Sequence, residues 1–467
     1  MTNESVSIHG IWSSRWVFIL AATGSAVGLG NIWKFPYMAG AYGGGAFVLV
    51  YLVCIALIGL PIMLAETVLG RRGRQSPVNT LRSLALQSGA SPRWSWAAAM
   101  GMTAALLILS FYSVVAGWSL DYIIGMGRGE FADIDGAGAG ARFDSLTGNP
   151  WRLTLWHTLF MLVTGYIIAK GVVAGLERSL RIMMPMLFVL LVVLLGYSLT
   201  TGYFMQGVEF LFHFDVSQAR AGILAAMGHA FFTLSIGVGS IMVFGSYMPK
   251  KSSIGGTVVT VALLDTVVAL TAGLALFPIV FAAGLEPGAG PGLMFVTLPI
   301  AFGNVVLGQV FGIIFFVLVA IAAWSSAISM LEPAVAYWVE RSGKSRTTIT
   351  AYIAGICWVV GLGTALSFNV LADAKFFVFD DSGFRLFAWG AEGGKTFFDS
   401  VDYLTSRIML PLGGLLFAVF AGWVLGRDVF KAELGLKYPR LFPVVYWLLR
   451  YVAPVGVTIV FVTELYN

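Results

Sequence analysis

Eleven separate runs of mainly apolar residues, each long enough to cross a hydrocarbon core of about 30 Å as a helix, occupy most of this chain. They lie near 14–37, 44–70, 95–124, 152–170, 182–201, 221–247, 255–284, 305–339, 348–368, 399–426 and 442–464. In lipid the backbone has no water to bond, so such runs must close their hydrogen bonds internally as helices. Only 11% of residues are charged, against about 25% in a soluble domain. The expected fold class is an all-α integral membrane protein with eleven transmembrane helices, embedded in a lipid bilayer. A secreted scaffold, a disordered tail and a nucleic-acid binder are excluded. Cys54 and Cys357 both sit inside apolar runs, so no disulfide framework is implied. Residues 1–10 lack the basic stretch of a cleaved leader, so the first run is expected to be retained.

With the N-terminus inside, the inner loops gather Arg71, Arg72, Arg74, Arg82 and Arg93, then Lys170, Arg178 and Arg181. Lys250, Lys251, Arg341, Lys344, Arg346, Arg427, Lys431, Lys437 and Arg440 complete that side. The outer loops hold only Arg128, Arg142, Arg152, Lys375, Arg385 and Lys395. This asymmetry predicts a cytoplasmic N-terminus, and an odd span count puts the C-terminus outside. The net charge of +5 thus belongs to cytoplasmic loops, as in a multi-pass protein of a bacterial inner membrane. The longest connectors, 125–151 and 369–398 (with Asp380-Asp381-Ser382-Gly383), are expected outside as connectors or lids.

Two interruptions stand at matching places. The first run holds Gly24-Ser25-Ala26-Val27-Gly28-Leu29-Gly30-Asn31 and ends in Phe35-Pro36-Tyr37. Each glycine costs a helix interior about 1 kcal/mol relative to Ala. Gly24 and Gly28 also form a GxxxG pair suited to close helix packing, so the glycines alone leave packing and unwinding both open. The sixth run carries its own interruption, Thr233-Leu234-Ser235-Ile236-Gly237-Val238-Gly239-Ser240. The breaks open two successive groups of five runs, and five is odd, so the second group enters with opposite polarity. The expectation is an inverted 5+5 repeat, 1–201 and 202–426, with an additional span in 427–467. Glycine-broken segments at corresponding positions point to a transporter's midplane site. Free N–H groups at a half-helix start attract an anion, and freed carbonyls can coordinate a small cation.

At Gly24–Tyr37 the chain resembles the neurotransmitter:sodium symporter family. The likeness continues at Gly45-Ala46-Phe47, at Gly59-Leu60-Pro61 with Glu66 and Gly70-Arg71, and at Phe231-Phe232-Thr233-Leu234-Ser235. It resumes at Ser325-Ser326-Ala327-Ile328-Ser329 and Asp402-Tyr403-Leu404. The resemblance implies the leucine-transporter fold, with helices 1 and 6 unwound. It also implies sodium-coupled symport of a small amino acid by alternating access.

By that resemblance, a first sodium lies between the Ala26 carbonyl, Asn31, Thr233 and Asp265. A second lies between the carbonyls of Gly24, Val27 and Ala322 and the hydroxyls of Ser325 and Ser326. Read on its own, Asp265 is the one charge in run 255–284, and a carboxylate there needs a partner, either a hard cation or a hydrogen bond from a neighbouring helix. The serine pair can equally bond back to its own helix. Relatives that need chloride carry a neutral Asn at the Asp265 position. Here the carboxylate supplies the negative charge, and the usual chloride-ligand serine position holds Ala269, so no chloride requirement is expected.

The resemblance also implies a substrate site. Its carboxylate would meet the N–H groups of Leu29 and Gly30, the Tyr112 hydroxyl and the first sodium. Its ammonium would lie among Ala26, Phe232, Thr233 and Ser235. Ile108, Val238, Ser326 and Met330 would line the side-chain pocket under Phe232 as a lid. Without the resemblance, Tyr112 reads equally as an interhelical hydrogen bond. Amine-transporting relatives carry Asp at the position of Ser25, so the expected substrates are neutral, mostly hydrophobic L-amino acids. Val238 is smaller than the phenylalanine of a leucine-transporting relative, which keeps aromatic substrates among the candidates.

Lys34 and Asp402 match the family's outer gate, with Lys in place of Arg and therefore without the planar bidentate fork. Trp12, Tyr247 and Glu340 match the inner gate, where His9 holds the usual Arg position. An imidazole paired with Glu340 would let acid strengthen the closed gate. Gly175 and Pro185 resemble a motif whose helix unwinds to admit water to the second sodium; a helix start after a loop is the plainer reading.

Other classes fit less well. His157, His213 and His229 have no metal-ligand spacing and no Gly-x-Ser-x-Gly elbow occurs, so an enzyme is not expected. A channel wants rings of charge or carbonyls around a pore. A transporter of another small zwitterion, or a proton-coupled one of the same fold, remains the alternative; Ser325 and Ser326 with Asp265 favour sodium.

Overall fold

The computed structural model describes residues 8–286, 292–380, 383–390, 394–436 and 438–466. Lys437, Asp381 and Ser382, used above, lie outside the described residues. Among those described, nine helices are long and apolar enough to cross a membrane. These are α3 (Gly45–Gly73), α4 (Pro92–Gly127), α5 (Pro150–Ala169), α6 (Val172–Leu199), α9 (Ile254–Ala282), α10 (Gly308–Ser342), α11 (Arg346–Leu366), α12 (Phe397–Val424) and α13 (Pro439–Thr463). A tenth candidate is the bent pair α1 (Arg15–Ala26) and α2 (Gly30–Ala41), which turns through 69°. The sixth run is divided between α7 (Val216–Thr233) and α8 (Ser240–Ser246).

Helix starts follow local chemistry. Ser253 and Asn149 cap α9 and α5 by accepting from Gly256 N and Arg152 N, and Pro150 follows Asn149, where its missing N–H costs nothing. Burial differs widely among the helices. About 72% of the apolar window is buried in α4 and α10, against 28% in α6 and α13. The first pair forms the packed centre, and the second turns most of its surface outward.

Three expectations need correction. The fold is mostly rather than wholly α-helical: β1 (Ala374–Asp380) and β2 (Gly383–Trp389) pair antiparallel inside the 369–398 connector. The 125–151 connector holds the helix Gly136–Thr147, capped by Asp135. The fifth run begins about ten residues earlier than its hydropathy suggested, in a π-helical turn at Val172–Glu177. That early start is held by Glu177, whose carboxylate accepts from Ser13 N and Oγ and pairs with Arg181. The Gly175–Pro185 stretch is helical throughout in this conformation.

Candidate functional site

The first break follows Ala26. Val27 adopts an extended backbone (φ −72°, ψ 106°), and helix resumes as a π turn at Gly30–Lys34. The second break follows Thr233. Ser235, Gly237 and Gly239 all take positive φ (51°, 89° and 82°) before α8 begins. Gly237 is needed twice over. Left-handed backbone is costly for an L side chain, and a Cβ there would lie 2.5 Å from the Leu410 carbonyl. The Gly237 N–H donates to buried Glu66 at 2.7 Å.

The breaks face one another. The Ser235 hydroxyl donates to the Ser25 carbonyl at 2.7 Å, and the Ser25 hydroxyl donates to Ser329 at 2.8 Å. A Cβ on Gly28 would come within 2.8 Å of the Ser326 hydroxyl and 3.2 Å of the Tyr112 hydroxyl, so a side chain there would displace two groups of the site.

Asp265 is fully buried and collects donors from three elements. The Asn31 amide donates to it at 2.7 Å, the Thr233 hydroxyl reaches both oxygens at 3.0 Å, and the Tyr51 hydroxyl donates at 3.1 Å. Asn31 Oδ1 accepts in turn from Gly28 N at 3.1 Å. Three of the four residues expected at the first cation site thus form one hydrogen-bonded cluster. At the second, the Ser326 hydroxyl faces the carbonyls of Gly24, Ser25 and Val27 at 3.3, 3.4 and 3.3 Å. The Ser325 hydroxyl bonds back to the Ala322 carbonyl at 2.9 Å, the alternative anticipated for an isolated serine pair. The oxygen donors present suit a hard cation. Among the described residues no group of three His, Cys, Asp or Glu side chains suits a transition metal.

Every residue expected to touch substrate lines a single small cavity: Ser25, Ala26, Leu29, Gly30, Ile108, Tyr112, Phe232, Thr233, Ser235, Val238, Ser326 and Met330. Room for the centre of a water molecule there is only about 30 Å³. Among the described residues no charged side chain lines it. The Tyr112 hydroxyl is buried without a hydrogen-bond partner, leaving a donor free for a ligand. Leu410, absent from the expected set, completes the wall.

A larger vestibule of about 730 Å³ lies beyond Phe232 and shares Leu29, Gly30, Tyr112, Phe232 and Leu410 with the small cavity. Lys34 and Asp402 both line it. The Lys34 ammonium lies 5.3 Å from the Phe232 ring centre, and the Asp402 carboxylate accepts from Ser406 at 2.8 Å. On the opposite face, the one carrying the N-terminus (the N-face), the route is plugged. Trp12 packs edge-on to Phe244 and Tyr247, and its backbone N–H donates to the Tyr247 carbonyl at 2.9 Å. His9 Nε2 meets Glu340 at 3.0 Å, and Glu340 also accepts from Ser76 N, Ser76 Oγ and Asn79 at 2.6, 2.5 and 2.6 Å. Tyr247 does not reach for Glu340. Its hydroxyl donates to Glu332 at 2.6 Å, and Arg346 pairs with the other oxygen of that carboxylate. Glu332 and Tyr51 went unrecognised in the sequence, although a lone carboxylate in an apolar run was the signal that singled out Asp265.

Similar proteins are known. The chain is 37% identical to the sodium-dependent transporter YhdH of Bacillus subtilis (strain 168) over 455 residues, covering 96% of each. It is 31% identical to a sodium-dependent transporter of Haemophilus influenzae, covering 97% of this chain and 98% of that one. The solved structure of MhsT in complex with L-phenylalanine is similar with a TM-score of 0.85 at 43% identity, over 97% of this chain and 99% of that one. The family model for the sodium:neurotransmitter symporters matches residues 9–129 and 141–380. On the family match and these relatives, this chain belongs to the sodium:neurotransmitter symporter family, whose members are sodium-coupled membrane transporters and not enzymes.

Proposed function

We propose that the protein is a chloride-independent symporter that couples sodium entry to uptake of neutral, mostly hydrophobic L-amino acids. The observation that carries this reading is the joining of Asn31, Thr233 and Asp265 in one cluster beside a small cavity with no charged lining among the described residues. An uncharged wall suits a substrate whose own two charges cancel. The carboxylate would rest on the Leu29 and Gly30 N–H groups and the free Tyr112 hydroxyl, and the ammonium would rest near the Ala26 carbonyl and Ser235. The phenylalanine held by MhsT supports a cavity of this class for large apolar side chains.

Two sodium ions are cargo in this scheme, one beside Asp265 and one beside Ser326. One charge crossing 100 mV contributes about 2.3 kcal/mol to uphill substrate movement. The N-face is cytoplasmic, as the basic loops indicate, so the conformation described is closed inward with its vestibule outward. The halves 1–201 and 202–426 form the inverted pair, residues 427–467 supply the added span, and access alternates as the broken helices rock against the rest.

The test is binding of a panel of labelled amino acids to purified protein, with sodium or potassium as the only cation and chloride or gluconate as the anion. Saturable binding of leucine- or phenylalanine-like substrates in sodium gluconate is expected. Equal binding in potassium, or loss of binding in gluconate, overturns the coupling or the chloride independence respectively.

A further inference from the structure

Arg450 is a charge in an apolar helix that the transport site does not use. It lies within α13, about 12 Å along the axis from Phe442 at 1.5 Å per residue. A cation on an apolar helix needs a counter-charge or a reach to the interface. Among the described residues no carboxylate forms an ion pair with it, and its Nε is buried without a hydrogen-bond partner. What it has is a shelf. The guanidinium lies 4.0 Å from the Trp423 ring centre, and that indole is pinned by donating to the Arg450 carbonyl at 3.1 Å.

Two more cations continue the same seam. Phe442 and Tyr446 share one helix face at four-residue spacing, and Arg450 follows in the π-helical turn Leu448–Val452. Arg427 stands 5.8 and 5.9 Å over the Phe442 and Tyr446 rings, and Lys431 stands 5.7 Å over Phe442. Of the nearby acids, Glu433 is drawn away to Arg71 at 2.5 Å, and Asp428 is exposed. Outside the seam, Trp423, Trp447 and Tyr451 are about half exposed, the amphipathic belt that lies at headgroup level.

We infer that this seam is a seat for an anionic glycerophospholipid. Its phosphate is taken by Arg450, while Arg427 and Lys431 add positive charge further along the seam towards the N-face, and its glycerol backbone lies against Trp423 and Trp447. Guanidinium binds phosphate through paired donors, and the ring under Arg450 holds those donors in one plane. A zwitterionic lipid brings its own cation to the same place and meets repulsion.

The experiment uses the full chain in nanodiscs of phosphatidylcholine doped with photoactivatable phosphatidylglycerol or, separately, photoactivatable phosphatidylcholine, with crosslinks mapped by peptide mass spectrometry. The glycerol lipid is expected to label residues 423–451 at least fivefold more than the choline lipid. Arg450→Gln, and independently the surface pair Arg427→Gln with Lys431→Gln, should each cut that labelling at least threefold. Arg341→Gln, an exposed cation elsewhere on the N-face, should leave it unchanged. Equal labelling by the two lipids overturns the inference, as does undiminished labelling in the variants, or protein–protein crosslinks across the seam in place of lipid.

Discussion

Asn31 and Asp265 share a 2.7 Å hydrogen bond that ties the first helix break to α9. The amide nitrogen of Asn31 points at the carboxylate, while its oxygen accepts from Gly28 N. A sodium ion bound as proposed would compete with the Asn31 amide N–H for the carboxylate, which couples the proposed cation position to the first break.

Asp265→Asn removes the only charge in that cluster while leaving Tyr51 and Thr233 in place. Sodium-stimulated substrate binding is expected to fall at least tenfold. Because those donors then face no anion, chloride should restore part of it, where the unaltered protein binds equally in chloride and gluconate. Matched titrations in the two anions decide this, and a variant as active as the parent in gluconate contradicts the role given to the carboxylate.

Ser326→Ala tests the other cation position. Its hydroxyl faces the Gly24, Ser25 and Val27 carbonyls, and removing it leaves those carbonyls without that partner and the ion without a ligand. A loss of about 1–3 kcal/mol corresponds to roughly five- to 150-fold more sodium for half-saturation. Sodium titration of substrate binding measures the shift, with saturating affinity for substrate changing less.

Gly237→Ala puts a side chain on left-handed backbone and within 2.5 Å of the Leu410 carbonyl and 2.9 Å of the Gly414 nitrogen. The conformation alone costs about 1–2 kcal/mol, and neither contact is a flexible side-chain tip. A lower unfolding temperature is expected, together with lost binding, because the same residue's N–H is held by Glu66. Thermal unfolding in detergent, with and without substrate, reads both effects.

The membrane class and the positions of both breaks were legible because hydropathy and glycine placement are local properties. Which side chains meet across helices is not local. Tyr51 looks like any aromatic in an apolar run, and nothing in its neighbours says that its hydroxyl ends at Asp265. Leu410 is hidden for a different reason. The π-helical stretch Tyr403–Met409 shifts the register of α12, so a 3.6-residue period does not give the face on which Leu410 lies. Glu332, by contrast, was readable, since the burial argument applied to Asp265 holds equally for a carboxylate in run 305–339. The β1–β2 hairpin was readable too, from two aromatic-rich stretches around Asp380–Gly383.

The N-face latch gives a prediction independent of substrate. His9 is one of several donors to Glu340, and its segment also holds Trp12 against Tyr247. His9→Arg supplies a permanent cation and should slow backbone hydrogen exchange in residues 8–14. His9→Ala should speed it by about tenfold, since local opening is governed by the contacts that must break. Exchange rates unchanged in both variants mean that the latch rests on Trp12 alone.

Substrate size should be set by Val238, within the second break, and Leu410, on α12, which both line the cavity. The space is small, so an added ring has nowhere to go without displacing ligand. Val238→Phe is expected to weaken phenylalanine binding by about tenfold or more, because a misfit of even one methylene is worth 1–3 kcal/mol in an apolar pocket. Binding of alanine should change less than threefold, since a methyl side chain does not reach that far. Leu410→Ala acts in the other direction. Leu410 separates the cavity from the vestibule, and shortening it opens room at the outer end, so tryptophan should gain relative to leucine. Competition of each unlabelled amino acid against one labelled substrate gives both profiles. A proportional loss for every amino acid in both variants would mean that these residues support the site without reading the side chain.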